Sequence, residues 1–193
     1  MEQSEFWGSA EINYSLTKRI KLCLEQELRY NNNIRGLNQS LTDLGISYRI
    51  SSLLRTSLSY RFRLMPGSDE KHRQEIISNI HLKTDIAKLE LRHRARAHFR
   101  FRQNKETISL LRYRLAIRYP LTNFLKPYLS GELFYRFQYS EGDRLTQGRY
   151  RAGVLLGISK AHELDLFLGR ELEYNNKKPV NSTIVGFGYC FSF

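Results

Sequence analysis

Residues 88–102 read KLELRHRARAHFRFR, and this stretch decides the fold. Every second residue from Lys88 to Arg102 is charged or ionisable, and every residue between them except His93 is apolar. Successive side chains of a β-strand point to opposite faces, whereas helical spacing would spread the arginines all round. The segment is therefore predicted to be a strand with one cationic face and one apolar face.

The same alternation recurs along the chain and predicts an all-β protein. Ten further segments alternate, and no stretch has a convincing helical pattern. They lie at 6–17, 20–30, 39–50, 54–64, 72–84, 109–120, 126–138, 149–159, 162–174 and 182–193. Most are longer than the strands of soluble proteins, whose usual length is about 5–6 residues. We expect a single β-barrel domain over residues 1–193.

The charge balance is strongly basic, with 31 Lys and Arg against 19 Asp and Glu, a net charge of +12. Such an excess suits nucleic acid or an anionic surface. Proteins that bind single strands place aromatic and basic side chains on one face, but segments 54–64 and 88–102 place them on opposite faces. A soluble nucleic-acid-binding β protein is therefore an alternative only, and no nucleic-acid partner is expected.

Segment lengths and connections favour strands that cross a membrane. Segments of about 11–15 residues suffice for a tilted strand to cross an apolar band of ~25 Å, and aromatic residues crowd toward segment ends, as interfacial girdles require. Connections alternate between short ones (17–19, 50–53, 84–87, 159–162) and longer polar ones (31–37, 65–71, 139–146, 175–181), although 103–105 and 121–125 do not follow the rule. We predict an antiparallel transmembrane β-barrel with short periplasmic turns and longer extracellular loops.

The strand number is expected to lie between 10 and 12. Bacterial barrels have even strand numbers, so eleven segments favour ten, if 6–17 is not a full strand, or twelve, if one strand is missing. Parallel closure of eleven strands is the third option. Because no apolar signal-peptide core is present, the chain is expected to be a mature protein of a Gram-negative outer membrane.

The C-terminal segment carries an aromatic stripe that ends at the last residue. Phe187, Tyr189, Phe191 and Phe193 share one face with Val185, and exposing them on a soluble edge strand would invite aggregation. A closed barrel in lipid has no such problem. We expect these four aromatic residues to be the signal that the barrel assembly machinery reads during insertion, and outer-membrane lipid to surround the strands.

Several stretches also resemble a known family. An opening Trp7, LEQELRYN (24–31), KPYLSGELFYRF (126–137), RYRAGVLLG (149–157) and the aromatic C-terminus are similar to an uncharacterised family of short Gram-negative outer-membrane β-barrels, a domain of unknown function. The resemblance covers nearly the whole chain. It implies a fold and a location, and it carries no catalytic residues.

An arginine-lined lumen needs counter-charge, because an unpaired buried charge costs several kcal/mol. Turns at 160–162, 121–125 and 85–86 would place acidic and basic residues opposite each other on neighbouring strands. The predicted ion pairs are Arg149–Glu173, Arg151–Glu171, Arg114–Glu132 and Arg96–Glu75, with His81 opposite Glu90. Such a network favours a filled interior over an open pore.

A turn at 103–105 would instead place like charges together, Arg94 opposite Arg114 and Arg96 opposite Arg112, which destabilises a sheet. Either acids from across the lumen (Glu25, Glu27, Glu163, Asp165, Glu171) or a bound small anion must offset them. The candidate anion site comprises Arg92, Arg94, Arg96, Arg112, Arg114 and Arg118. A structural charge network is the alternative.

Enzymatic chemistry has little support in the sequence. The predicted register places His93 opposite Ser78 on the apolar face, but no outward carboxylate orients the imidazole as a triad requires. A lipid-acting hydrolase is thus a minor alternative. We expect no catalytic residues, no metal site and no cofactor, with Cys23 and Cys190 as free thiols. Binding or passing small anionic solutes, a plugged structural barrel, and surface contacts through loops 31–37, 65–71 and 139–146 stay open.

Overall fold

Eleven long strands make up nearly all of the protein. The computed structural model describes residues 2–31, 36–68, 71–102, 105–137, 143–176 and 179–193, with only the backbone at 102, 105 and 106. Within these ranges no helix is long and apolar enough to span a membrane. The strands are β1 Glu2–Ser15, β2 Ile20–Asn31, β3 Gly36–Arg49, β4 Leu54–Leu64, β5 His72–Ile86, β6 Leu89–Arg102, β7 Lys105–Arg118, β8 Leu125–Arg136, β9 Arg144–Gly157, β10 His162–Glu173 and β11 Asn181–Ser192.

The strands form one closed barrel. Each strand pairs antiparallel with the next, and β1 closes the barrel by pairing in parallel with β11, from Glu2 opposite Asn181 to Asn13 opposite Ser192. The preference for ten or twelve strands is therefore wrong. A parallel ladder satisfies the backbone groups of both end strands as an antiparallel one would, so an odd number of strands leaves no open edge.

The longest connections share one end of the barrel, as predicted, but the connections 103–104 and 119–124 do not follow the alternation in length. The short-turn end holds the connections 16–19, 50–53, 87–88, 119–124 and 158–161, and the loop end holds the others. The predicted long loops lie partly outside the described residues, at 32–35, 69–70, 138–142 and 177–178, as do residues 103–104 of the predicted turn at 103–105. Because the strand number is odd, β1 starts at the loop end and β11 finishes at the short-turn end.

Apolar side chains face outward and charged ones inward. Leu129 is 64% exposed, whereas Glu75 is 0% exposed. On β6, the outward Phe99 is exposed while His98 on the arginine row is fully buried. This arrangement inverts that of a soluble protein and is the one that hydrocarbon around the barrel requires.

Hairpin register agrees with the sequence in two cases and departs from it in two. Arg114 lies opposite Glu132, and Arg94 opposite Arg114, as predicted. The β9–β10 turn lies one residue earlier than predicted, which sets Arg149 opposite Glu171 and Arg151 opposite Gly169. The predicted pairs Arg149–Glu173 and Arg151–Glu171 are therefore wrong.

The β5–β6 turn lies two residues later than predicted. It falls at Ala87 and Lys88 instead of 85–86, and it places Arg100 opposite Glu75 and Asn79 opposite Arg96. The predicted pair Arg96–Glu75 is thus wrong, since the strand shift carries Arg96 four positions along β5. The predicted pairing of His81 with Glu90 is also wrong, because His81 lies opposite Arg94.

The same shift separates the two residues of the predicted Ser/His pair. His93 lies opposite Leu82, and Ser78 lies opposite Ala97. On the outer face, Nδ1 of His93 lies 2.7 Å from the hydroxyl oxygen of Tyr113. The geometry on which a lipid-acting hydrolase depended is therefore not present at these two residues.

The C-terminal aromatic stripe lies on the outer face. Phe187 and Phe193 are exposed, the rings of Phe191 and Phe193 lie 4.3 Å apart, and His162 stacks on Phe191 at 4.7 Å. This band sits at the short-turn end, where an aromatic girdle would meet the membrane interface. Its recognition by assembly machinery stays a prediction.

Candidate anion site in the barrel lumen

A buried carboxylate on β5 is the first centre of charge inside the barrel. Two guanidinium groups approach Oε1 of Glu75, that of Arg63 at 3.0 Å and that of Arg100 at 3.2 Å. Nδ1 of His98 lies 2.9 Å from Oε2 of Glu75, and Nε2 of His98 lies 3.4 Å from Nη1 of Arg112. An imidazole that carries its proton on Nδ1 satisfies both contacts, donating to Glu75 and accepting from Arg112.

A second carboxylate, Glu132 on β8, gathers three arginines. Nη2 of Arg94 lies 3.0 Å from Oε1, and Nη2 of Arg112 lies 2.9 Å from Oε2. Nη1 of Arg149 lies 3.6 Å from the same Oε2. Arg149 also reaches Glu171 on β10, at 2.5 Å between Nη2 and Oε2. Three strands therefore converge on one acidic group.

These contacts join into a continuous structure that we call the ion-paired belt. It crosses seven consecutive strands, β4 to β10, and its members are Arg63, Glu75, His98, Arg112, Glu132, Arg149 and Glu171. Its strongest contacts are charge-assisted hydrogen bonds, Arg112 to Glu132 at 2.9 Å and Arg149 to Glu171 at 2.5 Å. The belt therefore follows seven of the eleven strands around the lumen.

Trp7 connects the belt to the opposite wall. Its indole ring lies on β1 and is 3% exposed. The guanidinium carbon of Arg29 lies 3.8 Å from the ring centroid, and those of Arg149 and Arg151 lie at 4.6 and 5.1 Å. The negative π face of the ring attracts cations that stack on it in this way. Trp7 on β1 thus stacks against arginines of β2 and β9, and one of these, Arg149, belongs to the belt.

The belt separates two cavities. The larger one, about 390 Å³, extends toward the short-turn end and is lined by residues such as Asn13, Arg55 and Arg118. The smaller one, about 270 Å³, lies toward the loop end beside Arg100 and Arg136. We refer to them as the inner chamber and the outer chamber.

The inner chamber has an excess of positive charge. Among the described residues that line it are ten arginines and seven carboxylates. Most of the carboxylates lie on β1, β2, β3 and β10, and five of the arginines lie on β6 and β7. The lining carboxylates on β1, β2, β3 and β10 are Glu11, Glu25, Glu27, Asp43, Glu163 and Asp165. The five arginines on β6 and β7 are Arg94, Arg96, Arg112, Arg114 and Arg118.

The structure brings five of the six predicted anion-site arginines to one chamber wall. Arg92 is the exception, since it does not line the chamber and its Nη2 lies 2.6 Å from Oε2 of Glu90 near the short turns. Nε of Arg96 donates to Oδ1 of Asn79 at 2.5 Å, and Nη2 of Arg114 donates to Oγ of Ser130 at 3.2 Å. These partners are neutral, so they satisfy donors without adding counter-charge.

The acids expected to cross the lumen toward this wall mostly bind elsewhere. Glu27 pairs with Arg29 on its own strand, and Asp165 accepts a hydrogen bond from the hydroxyl of Tyr128 at 2.9 Å. Arg94 instead reaches Glu132, two strands away. The two free cysteines, Cys23 and Cys190, also line this chamber.

Sequence reasoning missed the role of Trp7 and the branching of both carboxylate centres. The alternation places Trp7 on the inward face, but its contacts with Arg149 and Arg151 depend on how far neighbouring strands are staggered. An inward Trp among inward arginines is the signal that could have indicated a cation–π contact.

Comparison with solved structures identifies the same architecture. The NanC porin superposes with a TM-score of 0.59 at 10% identity, over 95% of this chain and 91% of that one. LpxR from Salmonella typhimurium superposes with a TM-score of 0.57 at 12% identity, over 95% and 87% of the two chains. At such identities the likeness shows the fold, that of an outer-membrane β-barrel.

Sequence comparison points to one family. The family described as "Protein of unknown function (DUF2490)" matches residues 4–182. A search of curated proteins gave no significant match.

Proposed function

We propose a function for this chain, which belongs to the DUF2490 family, from the charge of its lumen. The protein is an outer-membrane barrel of a Gram-negative bacterium, and its inner chamber binds small anionic solutes without chemical conversion. The observation that carries the proposal is the wall of β6 and β7, where Arg94 faces Arg114 and Arg96 faces Arg112 directly.

The energetics of this wall support a bound anion. Like charges opposite each other on neighbouring strands destabilise a sheet, and two of these four arginines have a neutral side chain as hydrogen-bond acceptor. Planar guanidinium groups match the geometry of carboxylate and phosphate oxygens. An anion in the chamber would therefore relieve repulsion that the belt carboxylates relieve only in part.

Phosphate is the simplest probe of this site. We expect saturating phosphate to raise the melting temperature of the detergent-folded protein by about 5–10 °C, because a ligand at 100 times its Kd stabilises a protein of this size to that extent. Chloride at matched ionic strength separates binding from screening. A melting temperature that stays flat from micromolar to tens of millimolar phosphate would exclude the site.

A pair of variants locates the effect. Arg114→Gln should abolish most of the phosphate-dependent shift, since this guanidinium lines the chamber and has Ser130 as its hydrogen-bond acceptor. Arg170→Gln is the matched control, because Arg170 lies on the outer face beside Glu2 and Thr183. An equal loss of the shift in both variants would mean that phosphate acts on overall charge.

A plugged structural barrel is the second candidate, and the belt with Trp7 favours it. In that case the wild-type protein carries little current in a planar bilayer, and phosphate does not change its melting temperature. Both candidate functions predict a low current for the wild type, but only anion binding predicts a higher melting temperature in phosphate. The melting experiment therefore separates them.

A further inference from the structure

We propose that Glu132 closes the lumen to anions: its carboxylate occupies, between the two chambers, the position that a passing anion would take. This inference rests on the proposed binding of anions in the inner chamber. It adds a specific role for one residue, namely that Glu132 decides whether a bound anion can move on to the outer chamber.

The surroundings of Glu132 are those of a bound anion. Its carboxylate is contacted by Arg94 and Arg112 at 3.0 and 2.9 Å and by Arg149 at 3.6 Å, and the residue is 5% exposed. Three guanidinium groups around two oxygens form a site that any carboxylate or phosphate of similar size would fit. The protein fills this site with its own side chain.

Glu132 differs from the other belt carboxylates in its position. Among the described residues, it is the belt carboxylate that lines the inner chamber, whereas Glu75 and Glu171 do not line it. Arginines continue on both sides, with Arg96 and Arg114 in the inner chamber and Arg100 in the outer one. An anion moving along this path meets a fixed negative charge at contact distance, where Coulomb repulsion is largest.

The three arginines are held in place by more than Glu132. The guanidinium carbons of Arg112 and Arg149 lie 4.4 and 4.9 Å from the ring centroid of Phe134, and Arg149 also stacks on Trp7 at 4.6 Å. These aromatic faces are expected to keep the cations positioned when the carboxylate charge is removed. Neutralising Glu132 should therefore leave the three cations in position without the fixed negative charge that repels a passing anion.

The test is single-channel recording of Glu132→Gln in planar bilayers with potassium chloride and potassium phosphate. We expect its anion-selective conductance to exceed that of the wild type at least about tenfold. The Coulomb repulsion between two unit charges at contact distance exceeds the change in barrier height that corresponds to a tenfold change in rate. Glu90→Gln is the control. It removes an equal charge from an Arg–Glu pair that lines neither chamber, and it should behave like the wild type.

Folding is checked in the same preparations by the melting temperature with and without phosphate. Glu132→Gln leaves three cations with less counter-charge, so phosphate should stabilise it more than it stabilises the wild type. If the variant does not fold, the double variant Glu132→Gln with Arg94→Gln removes one uncompensated cation and should conduct in the same way.

The outcomes separate this inference from the proposed function. A folded variant that phosphate stabilises but whose current equals that of the wild type overturns the role of Glu132 and leaves anion binding intact. A variant that conducts without preferring anions, in a protein that phosphate does not stabilise, overturns both. Anion-selective opening confined to Glu132→Gln supports both.

Discussion

Glu75→Gln is expected to lower the free energy of unfolding by about 3–5 kcal/mol, the usual cost of removing one partner of a buried ion pair. The glutamine keeps the shape of the side chain but leaves Arg63 and Arg100 without the charge that lies 3.0 and 3.2 Å away. It also offers the ring of His98 a weaker acceptor. Because Glu75 is 0% exposed, water cannot replace the lost charge.

Urea unfolding in lipid vesicles measures this cost, with the fluorescence of Trp7, the one tryptophan of the chain, as the reporter. Glu90→Gln should cost less than about 1 kcal/mol, as exposed pairs do, since its partner Arg92 is 37% exposed in its side chain. The double variant Glu75→Gln with Arg100→Gln should recover part of the loss by removing one uncompensated cation. A loss for Glu75→Gln as small as that for Glu90→Gln would refute the view that Glu75 anchors the belt.

The belt explains why this barrel tolerates so many inward arginines. Each buried guanidinium is costly alone, but a carboxylate shared by two or three of them lowers the cost for all. Glu75 and Glu132 serve in this way for Arg63, Arg100 and Arg149 among others. On the wall of β6 and β7, Arg94 and Arg112 share Glu132, whereas Arg96 and Arg114 have neutral hydrogen-bond acceptors. This partial compensation is why the proposed anion site falls there.

Alternation in the sequence predicted which side chains share a face, because the side-chain period of a strand is two whatever its partners are. That rule placed the arginines of residues 88–102 on one face, and the segment lengths, the aromatic positions and the C-terminal stripe predicted that this face lies inside the barrel. It could not predict closure, because β1 pairs with β11 across nearly the whole chain length. No local feature of the sequence distinguishes a barrel closed by a parallel pair of strands from one that lacks a twelfth strand.

Register depends on the turn residues, and two turns carry misleading signals. Ala87 has a φ of 52°, a left-handed conformation that usually calls for Gly or Asn, so the sequence gives no reason to place the turn there. The β9–β10 turn has no Gly or Pro to mark its position. By contrast, the predicted turn at 121–125 gives the observed register, in which Glu132 lies opposite Arg114.

Contacts across the lumen could not be predicted from hairpin register at all. Arg94 reaches Glu132 across β7, and Trp7 meets Arg149 across β10 and β11. Both contacts depend on the shear and radius of the closed barrel. The candidate site was therefore predictable as a set of inward arginines, while its charge balance was not.

A row of glycines makes room for the aromatic side of the lumen. Phe167 on β10 lies opposite Gly186 on β11 and Gly153 on β9. A Cβ atom on Gly186 would lie 1.9 Å from Cζ of Phe167, and one on Gly153 would lie 2.8 Å from its Cβ. The phenyl ring therefore lies directly on the backbone of β11, and it belongs to the apolar cluster that contains Trp7.

Gly186→Val is expected to destabilise the barrel by about 3 kcal/mol, the upper part of the range for overpacking, because the ring of Phe167 must leave its place beside Trp7. Gly8→Ala is the control on the neighbouring strand. A Cβ there would meet only Cε1 of Phe6 at 3.8 Å, an ordinary contact on the outer face, so its effect should stay within about 0.5 kcal/mol.

A double-mutant cycle shows whether the clash with Phe167 is the cause. Gly186→Val combined with Phe167→Ala should be more stable than the sum of the two single losses predicts, by about 1–3 kcal/mol of coupling, since the valine then fills space that the ring has left. Urea unfolding with the Trp7 reporter measures all four proteins. Additive losses would mean that the ring does not lie on Gly186, and that this side of the lumen packs in another way.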